Sequence, residues 1–426
     1  MTTTVTSTIS KAVNKDLLAR FSRIRSRTEE LCAPLQIEDY VVQPVVDVSP
    51  PKWHIGHTTW FFEEFVLDSH MQGYERFDSQ YAFLFNSYYE TVGRRVVRTD
   101  RGNMTRPSVE EVYQYRAYVN QHMKRFLLDK EPSDELIQII ELGLQHEEQH
   151  QELLLYDIKY ILGGNPLLPA YTSPVAEAEG SSGKMEFLPI EEGVYEIGHT
   201  GKGFCFDNEL GRHKVYLQPY AISDRLVTNR EYLEFIEDGG YHNFRHWLQE
   251  GWEWVKQESP QAPFYWHLID GTWHTFTLHG LQPLNMDAPV SHINFYEADA
   301  YAKWLGLRLP TEQEWEVACR TYAPRPPQDA NFQETNRFEP AVRQNNNHQF
   351  WGDAWEWTAS AYRPYPYFDE PEGALGEYNG KFMINQMVLR GGSCATPKDH
   401  IRISYRNFFH PHLRWMFSGI RLAKFL

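Results

Sequence analysis

The sequence predicts an α-helical bundle followed by an α+β domain, and three observations carry that prediction. Apolar residues recur at helical spacing from residue 16 to 163. Residues 164–184, "GNPLLPAYTSPVAEAEGSSGK", are rich in Pro, Gly, Ser and Ala and show no periodicity. Beyond them the pattern changes to short strand-like runs, two short helices and long Trp- and Gly-rich irregular stretches. The expected organisation is a flexible N-terminus over 1–15, a four-helix bundle over 16–163, a linker over 164–184 and an α+β domain over 185–426.

The four helices are read in "DLLARFSRIRSRTEELCAPL", "WHIGHTTWFFEEFVLDSHM", "SVEEVYQYRAYVNQHMKRFLLD" and "SDELIQIIELGLQHEEQHQELLLYDIKYILGG". Ser108 with Glu111 forms a capping box, Ser133 is an N-cap with acids in the first turn, and Gly163-Gly164 before Pro166 closes the last helix. In the second half, "KVYLQPYAI", "MVLRGGS" and "GIRLAKF" read as strands, and "NREYLEFIED" and "FYEADAYAKWLG" as helices.

At 426 residues the chain is long enough for two domains with cores of their own, and its 15% aromatic content is high for a globular protein. A net charge of −16 argues against a nucleic-acid or anionic-membrane partner, since both need a basic surface, and points to small-molecule ligands. Cys32, Cys205, Cys319 and Cys394 lie far apart, which fits a reducing cytoplasm rather than a disulfide framework. The opening "MTTTVTSTISKAVNKD" has no apolar signal core, and no stretch is apolar enough to span a membrane, so a cytoplasmic, unprocessed protein is expected. Oligomeric state is not legible.

The chemistry concentrates in His146-Glu147-Glu148-Gln149-His150, an H-E-x-x-H match. Histidines at i and i+4 lean from one helical face and can chelate a divalent metal, leaving positions for a third ligand and for substrate. A zinc peptidase would need that ligand downstream, yet the next histidine is His199, and Glu177 and Glu179 sit in the linker. Upstream, "SPPKWHIGHTTWFFEEF" offers His54 and His57 on a helix expected in the same bundle, and either would complete a three-His site.

These residues resemble a known family. "SPPKWHIGHTTWFFE" with "HEEQH" looks like the DinB-like iron-binding domain, and the second half looks like a formylglycine-generating-enzyme-like (C-type-lectin-like) α+β domain. Together they are similar to the ergothioneine-biosynthetic sulfoxide synthases, the hercynine oxygenases. The motifs include "FDNELGRHKV", "LVTNREYLEFIEDGGY", "PVSHINFYEADAYAKWLGLRLPTEQEWEVA", "GDAWEWTAS", "VLRGGSCAT" and "RISYRNFFHPHLRWMFSGIRLA".

The resemblance implies a mononuclear non-haem Fe(II) held by His57, His146 and His150, with His54 a non-ligand. The active site would lie between the two domains, and Glu147 would become a solvated or outer-sphere acid. It further implies that Gln149 hydrogen-bonds the hercynine imidazole, that Asn407 and Phe408 line the place of the trimethylammonium group, and that Arg98 and Arg101 bind the carboxylate of the thiol donor. Where actinobacterial members carry Asn-Trp-Asp followed by paired arginines, this chain has Asn407-Phe408-Phe409 and later Leu413-Arg414. "FNSYY" instead supplies Tyr88 and Tyr89, as in the subgroup resembling users of free cysteine, so one of that pair is expected to donate a proton or hydrogen bond during oxygen chemistry; Tyr365 and Tyr367 are the rival location. Cys394 follows Gly391-Gly392-Ser393 directly, Thr396 stands where the formylglycine-generating enzymes carry a copper-binding cysteine, and no second cysteine follows, so Cys394 reads as a packed, inert thiol. The expected reaction joins cysteine to hercynine as a sulfoxide with O2. Alternatives on the same scaffold use γ-glutamylcysteine, unmethylated histidine or a selenosugar, and the distant one is a zinc hydrolase.

Overall fold

The computed structural model describes residues 2–426 except 91, 176–179, 343–347, 371–375, 377 and 378, with side chains from residue 14 onward. Glu177 and Glu179 therefore lie outside the described residues. The chain forms two compact units, Met1–Asn165 and Pro166–Leu426. Among the described residues no helix is long and apolar enough to cross a membrane.

The first unit contains α1 (Thr2–Cys32), α2 (Pro51–Phe62), α3 (Asp68–His70), α4 (Tyr81–Leu84), α5 (Val109–Asp129) and α6 (Asp134–Gly163). A π-helical turn, Glu63–Leu67, fuses α2 to α3, so the expected second helix is one rod with a bulge in it. Both α1 and α2 pack against α5 and α6, as a four-helix bundle requires. The caps follow the sequence: Ser108 Oγ accepts from the Glu111 amide at 3.2 Å while Glu111 returns a 2.7 Å bond, and Ser133 Oγ accepts from the Leu136 amide. Pro51 begins α2, where its missing amide hydrogen is not needed.

Every residue of α2 is buried, including the polar Lys52, His54, His57, Thr58 and Thr59, which makes it the central helix of the unit. Gly56 allows the 81–89 segment to lie against it: a Cβ there would fall 2.1 Å from the Phe85 ring. The helix α1 begins at Thr2, within the segment 1–15, where no Gly or Pro interrupts "TTTVTSTISKAVNK".

The second unit holds β1 (Phe187–Ile190), β2 (Gly193–Ile197), β3 (His213–Leu217), β4 (Tyr220–Ser223), α7 (Asn229–Glu237), α8 (Gln249–Glu258), β5 (Trp266–Ile269), β6 (Thr272–Thr277), β7 (Gly280–Pro283), α9 (Phe295–Trp304), α10 (Glu312–Tyr322), β8 (Trp355–Ala361), β9 (Met387–Arg390), β10 (Asn407–Phe409), β11 (Ser418–Gly419) and β12 (Ala423–Phe425). Its sheets run β1-β4-β12, β10-β9-β8-β11, β2-β3 and β5-β6-β7, all pairs antiparallel except β8 with β11. The expected strands and helices are present, and α8 and α10 are additional.

Much of the motif-rich sequence turns out to be ionic core. Glu312 pairs with Arg406 at 2.8 Å, Glu316 with Arg390, Glu356 with Arg421 at 2.5 Å and Glu209 with Arg402 at 2.6 Å. These pairs tie α10 and the loops to the central sheet, so the acids of "LPTEQEWEVA" and "GDAWEWTAS" hold the fold rather than act on a substrate. Described residues of the expected linker are tied into this unit: the amides of Tyr171 and Thr172 both donate to Leu278 O, and the Arg225 guanidinium donates to Gly183 O.

Candidate metal centre

His57 comes from α2 and His146 and His150 from α6, two helices that pack directly together. One ligand atom from each lies within 4.8 Å of the others, and the ring centroids are 4.6 to 4.8 Å apart. No carboxylate belongs to the group.

Burial sets the charge of these rings. It pushes the His146 imidazole down to about 3, and burial followed by the neighbouring imidazoles holds His57 and His150 well below the ordinary histidine value. All three are therefore neutral at physiological pH, the form that donates a lone pair to a metal. His57 shows which atom it offers. Its Nδ1–H donates to Phe85 O at 2.6 Å, while Nε2 is buried with no hydrogen-bond partner among the described residues. An orphaned buried nitrogen facing two other imidazoles is what a metal ligand looks like without its ion, so the residues fit a three-His centre.

An aromatic wall surrounds it. His57 stacks between Trp53 (4.5 Å, 16°) and Trp60 (5.5 Å, 15°), and Phe61 packs 5.1 Å from His146. Tyr89 is fully buried with its ring 5.5 Å from Trp60, and Tyr88, half-buried, stacks on it at 4.7 Å. Tyr89 thus lies one ring removed from His57, and Tyr88 stacks behind it.

His54 is not a ligand, because both of its nitrogens are engaged: Nδ1 with His150 Nδ1 at 2.8 Å and Nε2 with Asp157 Oδ2 at 2.9 Å. Sequence reasoning missed Asp157. Its signal was available, since residues 150 and 157 lie two turns apart on one face of α6.

Glu147 is neither solvated nor near a metal position. It is fully buried and takes Arg25, Arg116 and Thr28 as partners at 2.8, 2.6 and 2.7 Å. The residue between the two histidines points away from them, into the contact with α1 and α5, and cannot serve as a hydrolytic base. Gln149 is half-buried on α6 beside His150.

The two arginines separate. Arg98 is exposed and bonds Asp47 O at 2.7 Å. Arg101 is buried; it donates to Ser49 Oγ and Ser87 Oγ at 2.9 Å each, and its Cζ lies 3.4 Å from the centre of the Trp53 ring. Among the described residues no carboxylate pairs with it, and its Nε has no hydrogen-bond partner. Burial, and after it Arg98, push its pKa well down, so this cation lacks an anion.

In the second unit Asn407 and Phe408 are half-buried on β10; Asn407 Oδ1 accepts from the Phe408 amide, and Phe408 stacks on Tyr362 at 4.1 Å. Tyr365 is buried with its hydroxyl committed to Glu312 at 3.0 Å, while Tyr367 is 86% exposed, so neither matches the Tyr88–Tyr89 arrangement. Cys394 is fully buried, as a packed thiol should be.

Residues 20–154 match the DinB superfamily, and residues 173–426 match the sulfatase-modifying factor enzyme 1-like domain. The chain thus joins a DinB-type helical bundle to a domain of the sulfatase-modifying-factor type. It is 33% identical to the hercynine oxygenase of Mycolicibacterium thermoresistibile over 70% of this chain and 71% of that one, and 32% identical to that of Mycobacterium tuberculosis over 67% and 71%. Ergothioneine biosynthesis protein 1 of Schizosaccharomyces pombe is 30% identical over 61% of this chain and 32% of its own length. The chain belongs to the hercynine oxygenase family, a family of oxidoreductases.

Proposed function

We propose that the protein is a non-haem Fe(II), dioxygen-dependent sulfoxide synthase that joins the sulfur of cysteine to hercynine, Nα-trimethylhistidine. The observation carrying this reading is the all-imidazole cluster of His57, His146 and His150 in a chain of this family. The relatives named hercynine oxygenase and ergothioneine biosynthesis protein supply the substrate class. Burial of Glu147 in an ion pair disfavours the zinc-hydrolase alternative.

Iron, when bound, would supply the activation of dioxygen. His57, His146 and His150 would hold the ion. Arg101 provides an uncompensated cation for the carboxylate of the amino-acid thiol, with two guanidinium nitrogens suited to a bidentate contact. Gln149 hydrogen-bonds the substrate imidazole without adding charge, and Asn407 and Phe408 present a dipole and an aromatic face to the trimethylammonium group, which cannot donate a hydrogen bond. The phenol of Tyr89 or Tyr88 donates a proton to an oxygen atom derived from dioxygen. In the balanced reaction the imidazole carbon loses its hydrogen and the thiol its proton, the C–S bond forms, one oxygen ends on sulfur, and the other leaves as water.

The test is anaerobic reconstitution with Fe(II), addition of hercynine or histidine with cysteine, γ-glutamylcysteine or a selenosugar, admission of air, and mass spectrometry. The expected product is hercynine plus cysteine plus one oxygen, less two hydrogens. Turnover of the selenosugar with failure of every thiol would overturn the sulfur reading.

A further inference from the structure

The cluster around His150 extends outward in a way the ligand set does not explain. His54 Nε2 lies 2.9 Å from Asp157 Oδ2, and His54 Nδ1 lies 2.8 Å from His150 Nδ1. His54 and Asp157 are both nearly fully buried, and Asp157 Oδ2 is fixed in turn by the Ser49 amide at 2.8 Å, just before α2 begins.

The proton positions follow from donor and acceptor counting. With His54 Nε2 donating to the Asp157 carboxylate, His54 Nδ1 is the atom left to accept. Two ring nitrogens 2.8 Å apart need one hydrogen between them, so that hydrogen sits on His150 Nδ1. His150 Nε2 is then the bare nitrogen and the atom available to a metal. The network thus selects both the tautomer and the orientation of His150.

His57 is oriented differently, by a neutral peptide carbonyl. Among the described residues the group holds no carboxylate, and Asp157 is connected to it by hydrogen bonds through His54. A carboxylate relayed this way raises the basicity of the ligating imidazole.

We infer that His54 and Asp157 are positioning residues that fix the His150 tautomer and, through it, raise the affinity of the centre for a divalent metal. The inference rests on the metal-centre reading but not on the identity of the substrates.

The test uses the full-length apoprotein and Co(II) as probe, with the dissociation constant measured by chelator competition and the geometry followed by the visible ligand-field spectrum. His54→Phe keeps a ring but removes both hydrogen bonds; it should weaken Co(II) binding by about 10–100-fold and shift the spectrum. His54→Gln can still accept from His150 and donate to Asp157, so it should recover most of the affinity. Asp157→Asn should loosen binding by about tenfold. Melting of each apoprotein identifies any variant that simply unfolds, and Asp157→Asn with His54→Gln carry the test if His54→Phe does so. Wild-type affinity and spectrum in folded His54→Phe or in Asp157→Asn would overturn the inference. If the wild type binds no Co(II), or His57→Ala binds it equally well, the metal-centre reading itself fails.

Discussion

Arg116 Nη2 and Glu147 Oε1 lie 2.6 Å apart, and neither side chain reaches solvent. Burial raises the carboxyl, but Arg116 and then Arg25 outweigh it and bring Glu147 down to about 2, so the acid between His146 and His150 is an anion in a three-helix ionic knot. That knot joins α1, α5 and α6 one residue from His146, and it fixes the backbone that carries His146 and His150. Replacing Glu147 by Gln keeps the shape but takes the carboxylate from buried Arg25 and leaves Arg116 with Glu29 alone, a loss of about 3–5 kcal/mol. Hydrogen exchange of the α6 amides should accelerate by about two orders of magnitude or more, and unchanged protection would refute the anchoring role.

Loss of a ligand should be visible without any substrate. His57→Ala and His146→Ala, loaded with Fe(II) and desalted, are expected to retain about a tenth or less of the wild-type iron by elemental analysis. Full iron content in either variant would remove that histidine from the centre.

Most of the fold was legible because the long helices are periodic and capped: Ser108, Glu111 and Ser133 mark the ends the structure shows. The helix α10 was not read, although Thr311 and Glu314 form a capping box and Trp315, Ala318, Cys319 and Tyr322 recur at helical spacing, because at 11 residues it offers only two apolar turns. The chelating pair on α6 was legible from its spacing. The choice between His54 and His57 was not, since it depends on Phe85 and Asp157, groups the chain brings in from 28 and 103 residues away. Glu147 was misread for the same reason, because its partners Arg25 and Arg116 are remote in sequence and only packing reveals them.

Arg101 and Arg98 should behave differently. Arg101→Gln is expected to raise KM for the amino-acid thiol by about 10–100-fold, with little effect on KM for hercynine, because a charge-assisted contact to its carboxylate is lost. Arg98→Gln should change either value by less than about threefold, since this residue is exposed and bonds a backbone carbonyl of Asp47. A reversed pattern would move the carboxylate site to Arg98.

The second unit should show a defined acid sensitivity. Burial raises the Glu209 carboxyl, but Arg402, the Ser404 hydroxyl and the Phe206 amide together hold it below its ordinary value. A depressed carboxyl stabilises the fold fully above its unfolded pKa, about 4.3, and the contribution fades as pH falls toward the folded value. Glu209→Gln should therefore cost about 3 kcal/mol near pH 7, and the gap from wild type should narrow below about pH 4.5 in denaturant titrations. A gap independent of pH would show that the ion pair is not its source.

The tyrosine pair offers a sharper division. Tyr89 is fully buried against Trp60, the ring that stacks on His57, whereas Tyr88 is half-buried behind it. A proton donor must lie within hydrogen-bond reach of the atom it serves, which favours the inner phenol. Tyr89→Phe deletes one oxygen and no ring contact, so iron content and KM for hercynine should be preserved while kcat for sulfoxide formation falls by about 10²–10⁴. Tyr88→Phe should retain kcat within about fivefold. The opposite ranking would assign the proton to Tyr88, and wild-type kcat in both variants would place its source outside this pair.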